Sequence, residues 1–463
     1  MREWERATWA TGVSEASVMR RAGEAVAQVA RRMTKSGEAI LVLAGKGHNG
    51  DDARFAAEQL PDRVVRLVNV TDAASAVSPV EGFAGALIVD GLFGIGLSRP
   101  LEGDWLRLVQ ALNQSRVPLL AVDVPSGLDA DTGAPLGDAV RATVTLTFGA
   151  MKAGLLLPPA APFTGRLEVA ADIGLVACPF RTELNWTLPE DFAGFPPPRP
   201  AVGHKGTFGH LAIIAGSQGY HGAAVLAARG ALRAMPGLVS VFTTERVYPL
   251  VAAQLAQPMV HPWGKGVALP KSCSAILLGP GLAGVDVSPA LVLETVRLWS
   301  ESPLPVIADA SALSWLPPGP TPDGAVRVIT PHPGEAGRML GMTAAEVQAD
   351  RSGALRALAQ DWGAATVVLK GRHTLIGAGQ GDIGVNSSGN SGLAQGGSGD
   401  VLAGYLGGWF AQPRLRADAG RVIRHAVWAH GHTADWLAGR QRVWEMTDLV
   451  EWLGESTRAA LGR

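Results

Sequence analysis

The chain has 463 residues, 47% of them hydrophobic, and its 40 Lys and Arg against 41 Asp and Glu leave a formal net charge of −1. At about 150 residues per domain that length suggests two or three domains, and the balanced, mixed charge excludes the basic face of a nucleic-acid binder and an acidic tail. Two cysteines, Cys178 and Cys273, lie far apart without CxxC spacing, which argues against a disulfide framework or a zinc site and suits a reducing cytoplasm.

The N-terminus, MREWERATWATGVSEASVMRRAGEAV, is charged and helical in pattern and lacks the apolar core of a signal peptide. No apolar run approaches the roughly 20 residues that span a bilayer. A soluble, cytoplasmic protein with small molecules as partners, and neither nucleic acid nor membrane, is expected. Short β-branched runs then alternate with Ala-rich helical stretches, at 39–45, 85–94, 117–127 and 144–150, and again at 210–217, 238–244, 275–281, 305–311, 326–332 and 365–371. Continuous apolar strands ending in Gly, Asp or His signal parallel sheets covered on both faces. Between the two sets stands FPPPRP, residues 195–200, whose prolines can neither continue a helix nor sit inside a sheet. The expected organisation is two tandem α/β domains, 1–195 and 201–463, joined by a Pro-rich linker at 196–200, with no repeat of motifs between them.

In such sheets ligands bind beyond the carboxyl ends of the strands, and the polar motifs fall there. AGKGHNGDDARF places Gly45, Gly47 and Gly50 between a strand and a helix, either as a phosphate loop or as a tight turn capped by Asp51 or Asp52. Asp90 and Asp123 end the next two strands, and three tips bringing oxygen ligands together could hold a metal ion or a polar substrate.

In the second half, GSQGYHGAA offers glycines at a strand tip, and TPHPGE sets His332 and Glu335 past another, with Glu335 suited to a helix start and His332 to ligand contact. LKGRHT supplies Lys370 at a cationic strand end, suited to a nucleotide phosphate or simply solvated. GNSGLAQGGSGDVLAGYLGGWF combines a glycine cradle, with flexible positions 396, 397 and 399, a carboxylate and a helix start. Asp400 there is either an N-terminal cap or a group that takes a proton from a hydroxyl.

Residues 1 to about 175 resemble the N-terminal epimerase domain of the NAD(P)H-hydrate repair enzymes, through the first glycine loop, DGLFGIG and DVPSGLDADTG. The resemblance implies a Rossmann-like three-layer α/β/α fold. It implies that His48, Asn49, Gly50, Asp51 and Asp52, with Gly94, Ile95, Gly96, Leu97, Ser98, Arg99 and Pro100, contact the hydrated nicotinamide nucleotide, that Asp123 touches it, and that Asn49, Asp90 and Ser126 ligate a potassium ion. The loop departs from the family pattern at His48, Asp51 and Ala53. Were a positive φ needed at position 51, Asp would tolerate it at a cost of roughly 1 kcal/mol.

Residues 201–463, through HKGTFG, GSQGYHGAA, GPG, TPHPGE, LKGRHT and GNSGLAQGGSGD in that order, resemble the ADP- or ATP-dependent NAD(P)H-hydrate dehydratase of the ribokinase-like superfamily. The resemblance implies that Ala223, Gly281, His332 and Asp400 contact the hydrate, and that Lys370, Gly371, Arg372, His373, Thr374 and Gly399 hold the adenine nucleotide, ADP or ATP with Mg2+. Asp400 is then the catalytic base, NADHX and NADPHX are the substrates, and a homo-oligomer is expected. Departures fall at Ala283, Ser311, Ser314 and Leu393. The competing expectation is a ribokinase-like kinase of a hydroxymethylpyrimidine or thiazole alcohol, with a non-catalytic nucleotide-binding first domain.

Overall fold

The computed structural model describes residues 1–264, 267–363, 365–441 and 443–460. The chain forms two compact units, Met1–Arg181 and Thr182–Arg463.

The first unit is built on six parallel strands: β1 Ala39–Ala44, β2 Val64–Asn69, β3 Leu87–Gly91, β4 Leu119–Val122, β5 Val144–Phe148 and β6 Arg166–Ala170, in the order β2-β1-β3-β4-β5-β6. The apolar runs of β1, β3, β4 and β5 are buried because helices cover both faces, with Val26, Ala27 and Ala30 on one side and Leu108, Val109 and Leu112 on the other. β2 and β6 are edge strands, half-exposed and charged, and the apolar pattern alone does not mark them. The order reverses between β1 and β3, which opens a crevice at their carboxyl ends.

The second unit holds ten strands: β7 Leu184–Trp186, β8 His210–Ile214, β9 Leu238–Thr244, β10 Met259–Trp263, β11 Ala275–Leu278, β12 Val306–Ala308, β13 Arg327–Ile329, β14 Thr366–Leu369, β15 Leu375–Gly377 and β16 Ile383–Val385. Their order is β10-β9-β8-β11-β12-β13-β14-β15-β16-β7, parallel from β10 to β14 and antiparallel at β14/β15 and β15/β16. Here the order reverses between β8 and β11.

The boundary therefore lies ahead of FPPPRP, not within it. The prolines break regular structure, but the residues before them bury apolar surface in the second unit: β7 pairs with β16, and Phe192 and Phe195 join a core containing Trp409 and Trp428.

Two helices of this unit touch backbone to backbone. A Cβ on Gly404, in helix Ser398–Phe410, would lie 1.9 Å from the Ala227 carbonyl in helix His221–Arg233, and one on Gly230 would lie 2.4 Å from the Val401 carbonyl. Ala223 and Asp400 each stand in the first turn of one of these helices, so this close packing fixes Asp400 relative to Ala223. Among the described residues no helix is long and apolar enough to cross a membrane.

Candidate active sites

The crevice of the first unit opens into a cavity of about 590 Å³. Of the residues expected there, His48, Asn49, Asp52, Asp123 and the segment Gly94 to Arg99 line it, together with Lys46, Lys152 and the N-terminal residues Arg2 and Glu5. Gly50 and Asp51 turn elsewhere. A Cβ on Gly50 would lie 2.1 Å from Gly45 O, and Asp51 accepts from Arg54 Nη1 at 2.6 Å. Pro100 is exposed beyond Arg99.

Asp51 lies inside helix His48–Glu58 and is absent from the positive-φ residues, so the strain considered for it does not arise. Its extra carboxylate is matched by Arg54, which also donates to Gly45 O and Asn69 Oδ1. Asp123 is the strained position, at φ 64, in the manner of residues held for function. Its Oδ1 accepts from Lys152 Nζ at 2.6 Å, Thr147 Oγ1 at 3.0 Å and Phe148 N at 3.2 Å. Burial, then the nearby Asp123, Asp51 and Glu5, push the Asp52 carboxyl well above the usual carboxylate range. Two carboxyls thus share one cavity in different environments, the arrangement that separates acid from base roles.

Asn49, Asp90 and Ser126 converge behind this wall. Asp90 Oδ1 accepts from Ser126 Oγ at 2.6 Å and Oδ2 from Ser126 N at 2.9 Å, while Asn49 Nδ2 donates to Phe93 O at 2.9 Å. Burial raises the Asp90 carboxyl despite these hydrogen bonds. A buried carboxylate among amide, hydroxyl and carbonyl oxygens fits a monovalent cation with hard oxygen ligands.

In the second unit the tips of β8 and β11 meet at Ala223 and Gly281. Gly281 has φ 66, and a Cβ on it would fall 2.7 Å from the Ala223 Cβ. Ser217 Oγ donates to Gly281 O at 2.6 Å and accepts from Gly284 N, locking the two loops. The substituted residues Ala283, Ser311 and Ser314 line an open cavity of about 380 Å³ beside them, with Gly284 and Trp315.

Asp400 is the third residue of helix Ser398–Phe410, whose N-cap is Gly397 with φ 96 and no capping side chain. It is not the cap. Of the three glycines expected to be flexible, only Gly397 takes a left-handed angle, while Gly399 serves close approach: a Cβ there would lie 3.3 Å from Lys370 Nζ.

Lys370 is not solvated but bound by Asp309 Oδ1 at 2.8 Å and approached by Glu335 Oε2 at 3.8 Å. Burial pulls the Lys370 ammonium down, but Asp309 and Glu335 outweigh it and hold it above its ordinary value. Burial, then Asp309, push the Asp400 carboxyl up to about 7, against the pull of Lys370. That value suits a general base at neutral pH.

His332 and Glu335 form a reciprocal cap: His332 Nδ1 accepts from Gly334 N at 3.0 Å, and Glu335 Oε2 accepts from His332 N at 2.9 Å. Glu335 is thus the helix start expected of it and also faces Lys370. The imidazole of His332 remains half-exposed.

Sequence reasoning missed Asp309 and gave Lys152 no role. The signal for Asp309 was present in PVIAD, a strand ending in a carboxylate like those at Asp90 and Asp123.

A family model described as NAD(P)H-hydrate dehydratase matches residues 211–453, and one described as YjeF-related protein N-terminus matches 15–79 and 66–154. The bifunctional NAD(P)H-hydrate repair enzyme of Coxiella burnetii is 35% identical over 97% of this chain and 96% of its own. The chain belongs to the bifunctional NAD(P)H-hydrate repair enzyme family. Its Escherichia coli relative is also 35% identical, over 93% of this chain and 86% of that one. Among solved structures, the ADP/ATP-dependent NAD(P)H-hydrate dehydratase of Bacillus subtilis, co-crystallised with ATP/Mg2+, matches with 31% identity and a TM-score of 0.52, covering 59% of this chain and 97% of that chain. A ribokinase-like superfamily protein of Enterococcus faecalis, 23% identical with a TM-score of 0.52, shares the fold of the second unit, covering 61% of this chain and 99% of its own. Membership in the repair-enzyme family accounts for two α/β units in one chain.

Proposed function

We propose that the protein repairs hydrated nicotinamide cofactors: the second unit dehydrates the S hydrate of NADH or NADPH with ADP or ATP, and the first interconverts the R and S hydrates. The observation carrying the first part is the Asp400 carboxyl, raised to about 7 beside Lys370 at a glycine-lined helix start. Asp400 accepts the proton of the hydrate hydroxyl, whose oxygen then attacks the terminal phosphoryl group, breaking the phosphoanhydride bond and releasing AMP from ADP or ADP from ATP. The phosphate so formed leaves with the C–O electron pair, and loss of a ring proton restores the dihydronicotinamide. Lys370 and the first-turn N–H groups stabilise charge on the transferring phosphoryl oxygens. Ala223, Gly281 and His332 bound the hydrate, and Lys370 to Thr374 with Gly399 hold the nucleotide.

Among the described residues no three His, Cys, Asp or Glu side chains cluster as a metal cage. Mg2+ would accompany the nucleotide, where it would neutralise phosphate charge and keep most of its waters.

In the first unit, Asp52 and Asp123 flank the hydrated ring, and His48, Asn49 and Gly94 to Arg99 hold the nucleotide. Asn49, Asp90 and Ser126 would hold a potassium ion, which supplies the positive charge that the buried Asp90 lacks and steadies the loop at Phe93. We further propose a homo-oligomer in the cytoplasm, checked for association by light scattering.

The test is recovery of NADH absorbance from S-NADHX with ADP or ATP, then from R-NADHX. No recovery from the S form rejects the dehydratase, and a phosphorylated alcohol product from pyrimidine or thiazole substrates would favour a kinase. Consumption of the R form no faster than its spontaneous conversion rejects the epimerase.

A further inference from the structure

Helix Arg351–Asp361 packs on β14 and β15, and its first side chain enters the loop between them. Arg351 Nη1 donates to the Arg372 carbonyl at 2.5 Å and the His373 carbonyl at 3.3 Å, and Nη2 donates to the Leu369 carbonyl at 3.1 Å. Gly371, at φ 135, leaves room for it, since a Cβ there would come 3.4 Å from Nη2. Burial lowers the guanidinium to about 10, so it stays charged at neutral pH, and its Nε has no partner among the described residues.

A second contact holds the same loop. Trp186 of β7 lies with its ring centroid 5.2 Å from the His373 imidazole, and His373 itself adopts φ 52. Thr374 Oγ1 closes the turn by donating to Gly371 O at 3.1 Å.

The orientation has a chemical consequence. In a trans peptide the C=O and N–H point opposite ways, so turning the carbonyls of Arg372 and His373 toward Arg351 turns the N–H groups of His373 and Thr374 to the other side. Successive N–H groups around a left-handed residue form a concave seat for an anion. A buried cation bonded only to carbonyls costs solvation energy, and the phosphates of a nucleotide would offset it.

We propose that Arg351, with Trp186 opposite, is a positioning residue for the adenine nucleotide, fixing the 369–374 loop so that the His373 and Thr374 amides meet its phosphate oxygens. This rests on the reading that the loop takes the nucleotide.

The test is steady-state dehydration of S-NADHX by Arg351→Gln and Trp186→Ala, with ADP binding measured by calorimetry. In Arg351→Gln, KM and Kd for ADP should rise by about tenfold to a hundredfold, the scale of losing charge-assisted hydrogen bonds. At saturating ADP, kcat should stay within about threefold and KM for NADHX should not move. Arg351→Lys, unable to span three carbonyls, should recover only part of the affinity. Unchanged ADP constants, or a parallel loss of kcat and both KM values, would overturn the proposal. Should Arg351→Gln not fold, Trp186→Ala decides by the same split between ADP and NADHX constants. Wild-type protein that binds no ADP rejects the nucleotide reading itself, whereas faster amide exchange at 370–374 in Arg351→Lys would still show the loop to be held by Arg351.

Discussion

Lys370 Nζ lies 2.8 Å from Asp309 Oδ1, so the lysine whose charge pulls on Asp400 is already engaged by another carboxylate. Thr330 Oγ1 holds that same Asp309 oxygen at 2.7 Å. Burial first, and then the charge of Asp309, keep the Asp400 pKa raised although Lys370 is close.

Asp309→Asn removes one negative neighbour of Asp400 and frees Lys370 to act on it. Both changes lower the Asp400 pKa from about 7. Because the base works deprotonated, the acid limb of the kcat profile for dehydration should move to lower pH. An acid limb that stays in place in the variant would count against Asp400 as the titrating base.

Asp400→Asn should cost activity and add stability. Loss of a general base lowers kcat by about 10²- to 10⁴-fold. The folded pKa lies above the ordinary 3.8, so the stability linked to Asp400 is complete below that value and is lost as pH rises through about 7. The variant, with no charge to bury, should then exceed wild type by about 1–3 kcal/mol near pH 8 and match it near pH 4. Urea unfolding at the two pH values checks both signs.

Asp90→Asn tests the cation site of the first unit. Burial raises Asp90, with hydrogen bonds from Ser126 and Leu92 N opposing it. Exchanging choline for potassium should raise the melting temperature of that unit by about 2–4 °C in wild type. The Asn variant should show no response, and an equal response in both proteins would place the ion elsewhere.

Gly404→Ala probes the helix contact that sets Asp400. The added methyl would press 1.9 Å from Ala227 O, so the helices must separate. A loss of about 1–3 kcal/mol is expected in thermal unfolding, with a matching fall in dehydration but no change in epimerisation.

Most of this was legible because buried parallel strands leave an unbroken apolar run, and Asp90, Asp123, Gly281, His332 and Lys370 each follow one, whereas Asp400 was marked by its glycines and helix start instead. The strands that escaped notice are short or at an edge: β2 with its exposed Val64 and Leu67, the charged β6, β10 interrupted by Pro262, and the three-residue β7, β15 and β16. Their burial comes from neighbours distant in sequence, which no local pattern encodes. At the sites, residue identity told which groups gather but not which way they turn. Gly50 and Asp51 share the first turn of a helix with Asn49 and Asp52, and helix phase alone sends them to Gly45 and Arg54. Asp309 went unnoticed because its value lies in Lys370, 61 residues away in sequence.

The pairing of β7 with β16, and of Phe195 with Trp409, bears on how the chain can be divided. A fragment beginning at residue 201 would remove Phe195 from its core and uncover the hydrogen-bonding edge of β16, a surface prone to self-association through added strands. A fragment beginning at residue 182 would carry its own hem, and with it Trp186 against His373.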